Sequence, residues 1–331
     1  MQRIHGLRVA SSIDLPGLAR VSGPEPADVM LELSESPLHQ PIPPARLLYR
    51  SRTRAEADPS DATLTVVLDA RAIVCFRYSD GTAVDVALDD RTAHITASIA
   101  PGQILEDLTT YLYGAVLGFV LRSRGVLAMH ASCVANDHGA ILLVGESGAG
   151  KSTTAAALDR RGWRVVSDDL TALSPPAEAG RPWLAHHAFT HVRLWPPSEA
   201  IVLGRAGTLA RITPGWDKLC YPLDAQRFTD DPVPVTGLFV LAPREDLAHA
   251  PRVSDQPVQQ RLLALTTMTY ANYLHDGRTR AIELRQLGAL LREVPARTLV
   301  PHRDPTRIGA LCELIEREAK AMRLSGATVP R

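Results

Sequence analysis

Short segments in which apolar residues alternate with polar ones, or in which β-branched residues cluster, recur before residue 100. They are Thr63–Leu68, Ala72–Tyr78, Ala83–Leu88 and Ala93–Ile99. Such segments predict strands, and Ser79-Asp80-Gly81 between the second and third is a hairpin-turn signal. The proline- and acid-containing stretch over residues 23–45 predicts loops. Residues 1–103 are therefore predicted to form a small, mainly β domain of antiparallel strands.

Longer apolar segments follow the break at Pro101-Gly102. Ile104–Arg122 is predicted to be an amphipathic-to-buried helix that leads into a strand carrying His130. Further strands are predicted at Ala140–Val144, Trp163–Ser167, Val192–Trp195 and Gly237–Leu241, and helices at Thr153–Arg161, Val258–Leu274, Ala281–Glu293 and Pro305–Arg323. This succession predicts an α/β domain over residues 104–331, with a parallel-rich sheet and flanking helices.

Residues 145–152 read Gly-Glu-Ser-Gly-Ala-Gly-Lys-Ser and fit the phosphate-binding loop pattern G-x-x-x-x-G-K-[ST]. In this pattern backbone N–H groups surround a polyphosphate, the lysine meets its outer phosphates and the hydroxyl binds Mg²⁺. The apolar run before the loop and the alanine-rich helix after it supply the expected strand–loop–helix context. The residues predicted to bind a nucleotide triphosphate such as ATP are Gly145, Glu146, Ser147, Gly148, Ala149, Gly150, Lys151, Ser152 and Thr153.

Two adjacent carboxylates, Asp168 and Asp169, follow the next predicted strand, and Asp168 lies seventeen residues after Lys151. A carboxylate beside bound phosphates can hold a metal ion or accept a proton from an attacking hydroxyl. The metal-linked aspartate of transport-type and motor ATPases usually lies much further along the chain. The short spacing therefore separates this chain from those ATPases, and the loop and the carboxylates together indicate a nucleotide, Mg²⁺ and phosphoryl transfer.

Residues 130–169 resemble the catalytic core of HPr kinase/phosphorylase, a bacterial enzyme that phosphorylates a serine of a carrier protein. The resemblance runs from His130, fifteen residues before Gly145, through the phosphate loop to the two aspartates. It implies a P-loop kinase core in which Lys151 pairs with the β- and γ-phosphates and Ser152 and Asp169 bind Mg²⁺. It also implies that Asp168 is the catalytic base and that His130 holds or tunes it.

The segment His191-Val192-Arg193 stands where that family carries Glu-x-Arg, whose acid assists metal binding and whose arginine assists phosphate. Arg193 is therefore a catalytic candidate for stabilising transferred charge. The acid is replaced by His191, and whether the histidine takes over its metal contact stays open. Lys218 is a weaker candidate for contacting phosphate or substrate.

Only the order of the motifs along the chain indicates which hydroxyl group accepts the phosphate. Gly6–Ser12, His130 before the loop and Arg193–Pro196 after it resemble the kinases of lasso peptides, which phosphorylate a C-terminal serine of a ribosomally made precursor. This resemblance implies a serine kinase with a peptide or protein substrate. An HPr-like kinase/phosphorylase and a regulatory P-loop ATPase without a hydroxyl acceptor stay open, although Thr153 replaces the glutamate that usually follows the loop serine in HPr kinase/phosphorylase.

Charge and composition limit the partners. Lysine plus arginine and aspartate plus glutamate number 36 each, so no broad attraction to nucleic acid or membrane is expected. The N-terminal residues lack the apolar core of a signal peptide, and the apolar stretch Tyr111–Leu121 is too short to span a bilayer. Four scattered cysteines are typical of reduced thiols in a cytoplasmic protein. A homo-oligomer is compatible with this composition.

Overall fold

The computed structural model of the protein describes residues 1–51, 64–224, 231–274 and 276–326. The first hundred residues supply the strands of one nine-stranded sheet. These strands are β1 (Gln2–Ile4), β2 (Leu7–Ser11), β3 (Ala19–Arg20), β4 (Val29–Leu33), β5 (Arg46–Arg50), β6 (Leu64–Leu68), β7 (Val74–Tyr78), β8 (Ala83–Leu88) and β9 (Ala93–Ser98). Their order in the sheet is β3-β1-β2-β4-β9-β8-β7-β6-β5.

The four predicted strands of this region are confirmed as β6 to β9, and each pairs antiparallel with the next. Thr63, the first residue of the first predicted strand, lies outside the described residues. The prediction that the sheet is antiparallel throughout is wrong, because β4 lies parallel to both β2 and β9. β4 also falls within the predicted loop stretch 23–45. Val29 and Leu31 are buried while Met30 and Glu32 face outward, a short alternation that the flanking prolines obscure.

The rest of the chain builds a second sheet and a two-stranded ribbon. Its strands are β10 (Leu127–Met129), β11 (Ala131–Asn136), β12 (Gly139–Val144), β13 (Arg164–Ser167), β14 (Thr171–Ser174), β15 (Leu184–Ala185), β16 (His191–Leu194), β17 (Leu219–Pro222), β18 (Val233–Leu241), β19 (Arg252–Ser254) and β20 (Ala296–Val300). The order is β10-β14-β15-β18-β12-β11-β13, with β20 beside β18 and β19 beside β20, and β16 pairs with β17. β12, β18 and β20 run parallel, whereas β11 lies antiparallel to β12 and β13.

Helices cover this second sheet. They are α1 (Leu105–Tyr111), continued by a π-helical turn (Leu112–Val116) and α2 (Leu117–Ser123), α3 (Lys151–Asp159), α4 (Pro196–Leu203), α5 (Val258–Thr267), α6 (Gly277–Glu293) and α7 (Ile308–Gly326), which a 3₁₀ turn (Pro305–Arg307) precedes. The predicted α/β fold class is confirmed. α5 ends seven residues before the predicted Leu274, because the Tyr270 N–H donates to the Ala128 carbonyl and Thr269 bridges to Met129, which makes the chain extended there.

The central strand β12 has apolar side chains on both faces. Ile141 and Leu143 pack in one apolar cluster with α3 and α7, and Leu142 and Val144 pack in another with α5 and α6. This alternation buries β12 from Ala140 to Val144 and fixes its carboxyl end, from which the phosphate loop emerges.

The N-terminal sheet packs on the segment α1–α2 through an apolar cluster that contains Phe76, Leu117 and Leu121. Phe189, two residues before the ribbon strand β16, belongs to the same cluster. The division into residues 1–103 and 104–331 stays a prediction, and this cluster crosses it. Within the described ranges, no helix is long and apolar enough to cross a membrane.

Candidate active site

The phosphate loop joins β12 to α3 with glycines in conformations that other residues avoid. Gly148 and Gly150 have φ angles of 81° and 99°, in the left-handed region. A Cβ atom on Gly145 would lie 2.9 Å from the Leu241 carbonyl oxygen. α3 begins at Lys151, two residues earlier than predicted, so the unpaired amides of its first turn belong to the loop itself. The backbone is thereby shaped as an anion-binding cradle.

Lys151 is buried within this cradle. Its ammonium donates to the carbonyl oxygens of Gly145 at 2.8 Å and Glu146 at 3.1 Å. Burial lowers the pKa of this ammonium, and the carboxylates of Asp169 and Asp168 oppose the shift. An incoming phosphate would take over hydrogen bonds that the ammonium now makes to the loop.

Asp168 directly follows β13 and lies in the protein interior, where it is 1% exposed. Its Oδ1 accepts hydrogen bonds from Ser132 Oγ at 2.6 Å and Ser152 Oγ at 2.9 Å. Its Oδ2 accepts from the Arg193 backbone N–H at 3.3 Å. Both oxygens are thus engaged, and one of them touches the loop hydroxyl that the pattern assigns to Mg²⁺.

Asp169 turns away from Asp168 because its φ of 69° is left-handed. Its carboxylate, 23% exposed, lies 3.4 Å from His130 Nδ1 and accepts from the Tyr270 hydroxyl at 3.1 Å. Arg193 Nη1 lies 4.0 Å away. Burial alone would raise the pKa of the Asp169 carboxyl. The hydrogen bond and charge of His130, with the charges of Arg193 and Lys218, outweigh burial and hold that pKa well below its usual range.

The family resemblance implies that His130 holds or tunes Asp168, whereas the polar contacts that the histidine makes in the structure are with Asp169. His130 Nδ1 lies 2.9 Å from the backbone carbonyl oxygen of Asp169 and 3.4 Å from its side chain. The reason is the turn at Asp169, which directs this residue to the junction of β10 and β11, where His130 sits. Asp168 instead follows β13, which pairs with β11, and meets Ser132 on that strand.

A cavity of about 130 Å³ joins the loop to Asp169. Its walls carry the side chains of Lys151, Lys218, Arg193, Arg244 and His130, so its charge is mainly positive. Lys218 Nζ lies 5.4 Å from the centre of the Trp195 ring at the exposed rim. Asp168 does not line this cavity, so Asp169 is the carboxylate that an incoming hydroxyl would meet.

Arg193 and His191 share the ribbon strand β16 but face different surroundings. Arg193 is buried, and its guanidinium lies 4.9 Å from the Phe189 ring centre as well as near Asp169. His191 packs against Phe189, with ring centres 4.6 Å apart, and against Gly17 of the N-terminal sheet region. Burial, and then the charge of Arg193, lower the pKa of His191 to about 3. His191 is therefore a neutral packing residue, and it does not line the cavity.

Two further cavities flank the phosphate loop. One of about 230 Å³ lies between α3, α4 and the segment 301–308, and Thr153 lines it while its hydroxyl contacts Ser198 Oγ at 2.8 Å. The other, of about 530 Å³, lies between the loop and α5. Each is open to the loop, so a nucleoside attached to loop-bound phosphates has space on either side.

The side chains that sequence reasoning missed are Ser132, Tyr270 and Arg244. Ser132 lies two residues after His130 on the same stretch of chain, and a period of two could have indicated it. Tyr270 lies about a hundred residues from its partner Asp169, and no local signal marks it. Burial raises the pKa of the Tyr270 hydroxyl well above its usual value, so it stays a proton donor to Asp169.

The oxygen atoms around Ser152 fit a magnesium ion. Ser152 Oγ and Asp168 Oδ1 lie 2.9 Å apart, and hydroxyl and carboxylate oxygens are hard ligands of the kind Mg²⁺ prefers. Among the described residues no group of three or more His, Cys, Asp or Glu side chains could hold a metal. Mg²⁺ in phosphate sites typically uses one or two carboxylates plus substrate phosphates, so this donor set suffices.

No protein-family model matches the chain. Among solved structures, the chain is similar to the Hpr(Ser) kinase/phosphatase from Coxiella burnetii, with 12% sequence identity and a TM-score of 0.29. The match covers 59% of this chain and 98% of that one. A likeness of this size says nothing of substrate or activity, and the chemistry of the site rests on its own residues.

Proposed function

We propose that the protein is an ATP- and Mg²⁺-dependent kinase that phosphorylates a serine hydroxyl of a peptide or protein. The observation that supports this most directly is the position of Asp169. Its ionised carboxylate lines the same small cavity as the phosphate loop and its cations. A hydroxyl that entered this cavity would meet a proton acceptor and a bound phosphate together, which is the arrangement phosphoryl transfer needs.

We assign the two aspartates the reverse of the roles that the family resemblance implies. Ser152 and Asp168 would hold Mg²⁺, which neutralises charge on the phosphates. Asp169 would accept the proton of the serine hydroxyl, while His130 and Tyr270 hold its carboxylate in place through the contacts described above. The burial of Asp168 and the exposure of Asp169 to the cavity support this exchange.

In this reaction the serine oxygen forms a bond to the γ-phosphorus and the bond from that phosphorus to the bridging oxygen breaks. ADP leaves, and the serine proton passes to Asp169. The low pKa of Asp169 makes it a weak base. A loose transition state tolerates a weak base, because the proton leaves late and positioning and charge neutralisation carry most of the catalysis. Lys151 and Arg193 are placed to neutralise the phosphate oxygens.

A ribosomally made, lasso-type precursor peptide with a C-terminal serine is the acceptor that the layout resemblance supports. The cavity is small, and the exposed Trp195 stands at its rim beside Lys218. A flexible peptide end carrying a carboxylate would fit such an entrance better than the flat face of a folded protein. We place this reaction in the cytoplasm, since all four cysteines are free thiols.

The experiment follows the γ-phosphate of labelled Mg-ATP in the presence of a precursor peptide that ends in serine. We expect the label on that serine, and no labelling of a matched peptide that ends in alanine. Lys151→Ala should abolish labelling and the Mg-ATP-induced rise in melting temperature. If wild-type protein releases all label as free phosphate, whichever peptide or protein acceptor is supplied, the kinase assignment is wrong and an ATPase is favoured.

A further inference from the structure

Arg244 lies directly over the phosphate loop, although its sequence context carries no motif. Its Nη2 atom is 2.7 Å from the position that a Cβ atom would occupy on Gly150. Gly150 precedes Lys151 and caps the amino end of α3. Arg244 also lines all three cavities that adjoin the loop. The guanidinium is therefore next to the place where the loop amides would bind phosphate.

The backbone that carries Arg244 is firmly held. β18 is the parallel neighbour of β12, so the segment after β18 emerges beside the phosphate loop. The N–H groups of Ala242 and Glu245 donate to carbonyls of Leu299 and Pro301, at 2.8 and 3.0 Å. The Arg303 N–H donates back to the Glu245 carbonyl at 2.8 Å. These hydrogen bonds fix the backbone at Arg244, from which its side chain starts, relative to the sheet.

The guanidinium group of Arg244 has no polar partner in the described part of the chain. Arg244 is exposed, and across residues 1–51, 64–224, 231–274 and 276–326 its side chain makes no hydrogen bond or ion pair. The other cations of the site have partners. Lys151 bonds loop carbonyls, Arg193 faces Asp169, and Lys218 lies on Trp195. An exposed arginine usually points into solvent, but here a rigid backbone holds five free N–H donors at an anion site.

We infer that Arg244 is a catalytic residue that binds the oxygens of the transferred phosphate and of the β–γ bridge. This inference rests on the proposed kinase function. As the bond between the γ-phosphorus and the bridging oxygen breaks, negative charge grows on ADP while the serine proton moves to Asp169. A guanidinium beside that bond stabilises the growing charge more than it stabilises bound ATP. Arginines in this role contribute on the order of 10³–10⁵-fold to the rate of phosphoryl transfer.

The test compares Arg244→Ala with Arg205→Ala. Arg205 is a matched control, since it is also an exposed arginine but lines none of the three cavities at the loop. We expect Arg244→Ala to slow transfer to a serine peptide by at least about 10²-fold, with Mg-ADP affinity nearly unchanged. Arg244→Lys should recover only part of the rate, because an ammonium lacks the planar fork of donors. Arg205→Ala should retain wild-type rates.

Melting temperatures check that each variant folds, which the exposure of both side chains favours. A wild-type transfer rate in Arg244→Ala overturns the inference and leaves the kinase assignment intact. An equal loss of Mg-ADP and Mg-ATP affinity with an unchanged kcat also overturns it, because Arg244 would then anchor the nucleotide in its ground state. A wild-type protein that binds Mg-ATP but labels no serine overturns the inference and the proposed function together.

Discussion

Asp168 and Asp169 are adjacent in the chain, yet their carboxylates have different partners. The left-handed φ of Asp169 separates them, so one carboxylate meets Ser132 and Ser152 and the other meets His130 and Tyr270. A non-glycine residue in this region carries a conformational cost of about 1–2 kcal/mol. Such a cost is commonly found at functional sites, where surrounding contacts hold the strained residue in place.

At this scale the sequence predicts the phosphate loop and the two aspartates, but it reveals neither the partners of those aspartates nor the places of Ser132, Tyr270 and Arg244 beside them and the loop. The pattern of the phosphate loop determines which backbone and side-chain groups surround an anion, because each position in the loop has a defined conformation. The orientation of a side chain after a strand depends on a single φ angle, which no pattern in Ser167-Asp168-Asp169 reveals. Tyr270 and Arg244 come to the site from segments far along the chain, and local spacing cannot report such contacts.

A buried ion pair ties together elements of the second part of the chain, after residue 103. Arg122 of α2 binds Glu283 of α6 through two N–H groups, with Nη2 3.1 Å from Oε2, and its Nη1 also donates to the Ala271 carbonyl. Both residues are nearly fully buried. Ala271 directly follows Tyr270, so this pair also supports the segment that positions the tyrosine beside Asp169.

Glu283→Ala should destabilise the protein by about 3–5 kcal/mol, because it leaves the Arg122 charge buried without its carboxylate. Chemical denaturation of the wild type and the variant measures this difference. The double variant Arg122→Met/Glu283→Leu removes both charges and should recover much of the loss. A loss below about 1 kcal/mol in Glu283→Ala would contradict the importance we give to the pair.

At the scale of elements, the helices predicted after residue 103 are confirmed, and so are the strands predicted at 140–144, 163–167, 192–195 and 237–241, since their apolar segments are regular. The helix α4 and the short strands β14, β15, β17, β19 and β20 are not predicted from the sequence. The failures have local causes. β4 is too short and too closely flanked by prolines to stand out, and α5 ends early because Tyr270 pairs with the Ala128 backbone. The parallel position of β4 between β2 and β9 depends on pairings distant in sequence. No local sequence pattern can specify these strand pairings.

Across the whole molecule, the N-terminal sheet and the part of the chain after residue 103 meet around buried histidines. The His5 N–H, in the turn between β1 and β2, donates to the His187 carbonyl at 2.7 Å, and the Tyr113 hydroxyl donates to the Pro16 carbonyl at 2.8 Å. Burial is the main cause that lowers the pKa of His5 to about 3 and that of His187 to about 4. Both rings are therefore neutral in the folded protein near neutral pH.

The folded protein should lose stability as the pH falls from about 6.5 to about 4. In that range the unfolded chain takes up protons on these histidines and the folded chain does not, so the free energy of unfolding rises with pH. Each histidine contributes a slope of up to about 1.4 kcal/mol per pH unit. Urea unfolding at a series of pH values measures it.

His5→Asn, which tolerates the left-handed φ of 54° at this position, and His187→Gln should each reduce this slope. His138→Gln is the matched control, because His138 is exposed in the turn between β11 and β12. A slope that is the same in all three variants and the wild type would mean that other groups cause the acid sensitivity.

The proposed kinase mechanism requires that Asp169, rather than Asp168, receives the proton of the acceptor hydroxyl. The most direct measurement is single-turnover transfer from Mg-ATP to a serine peptide by Asp169→Asn and Asp168→Asn, together with the Mg²⁺ dependence of ATP binding. We predict that Asp169→Asn binds Mg-ATP normally and loses about 10²–10⁴-fold in transfer rate. Asp168→Asn should lose the Mg²⁺ dependence of ATP binding. Undiminished transfer by Asp169→Asn would contradict the account.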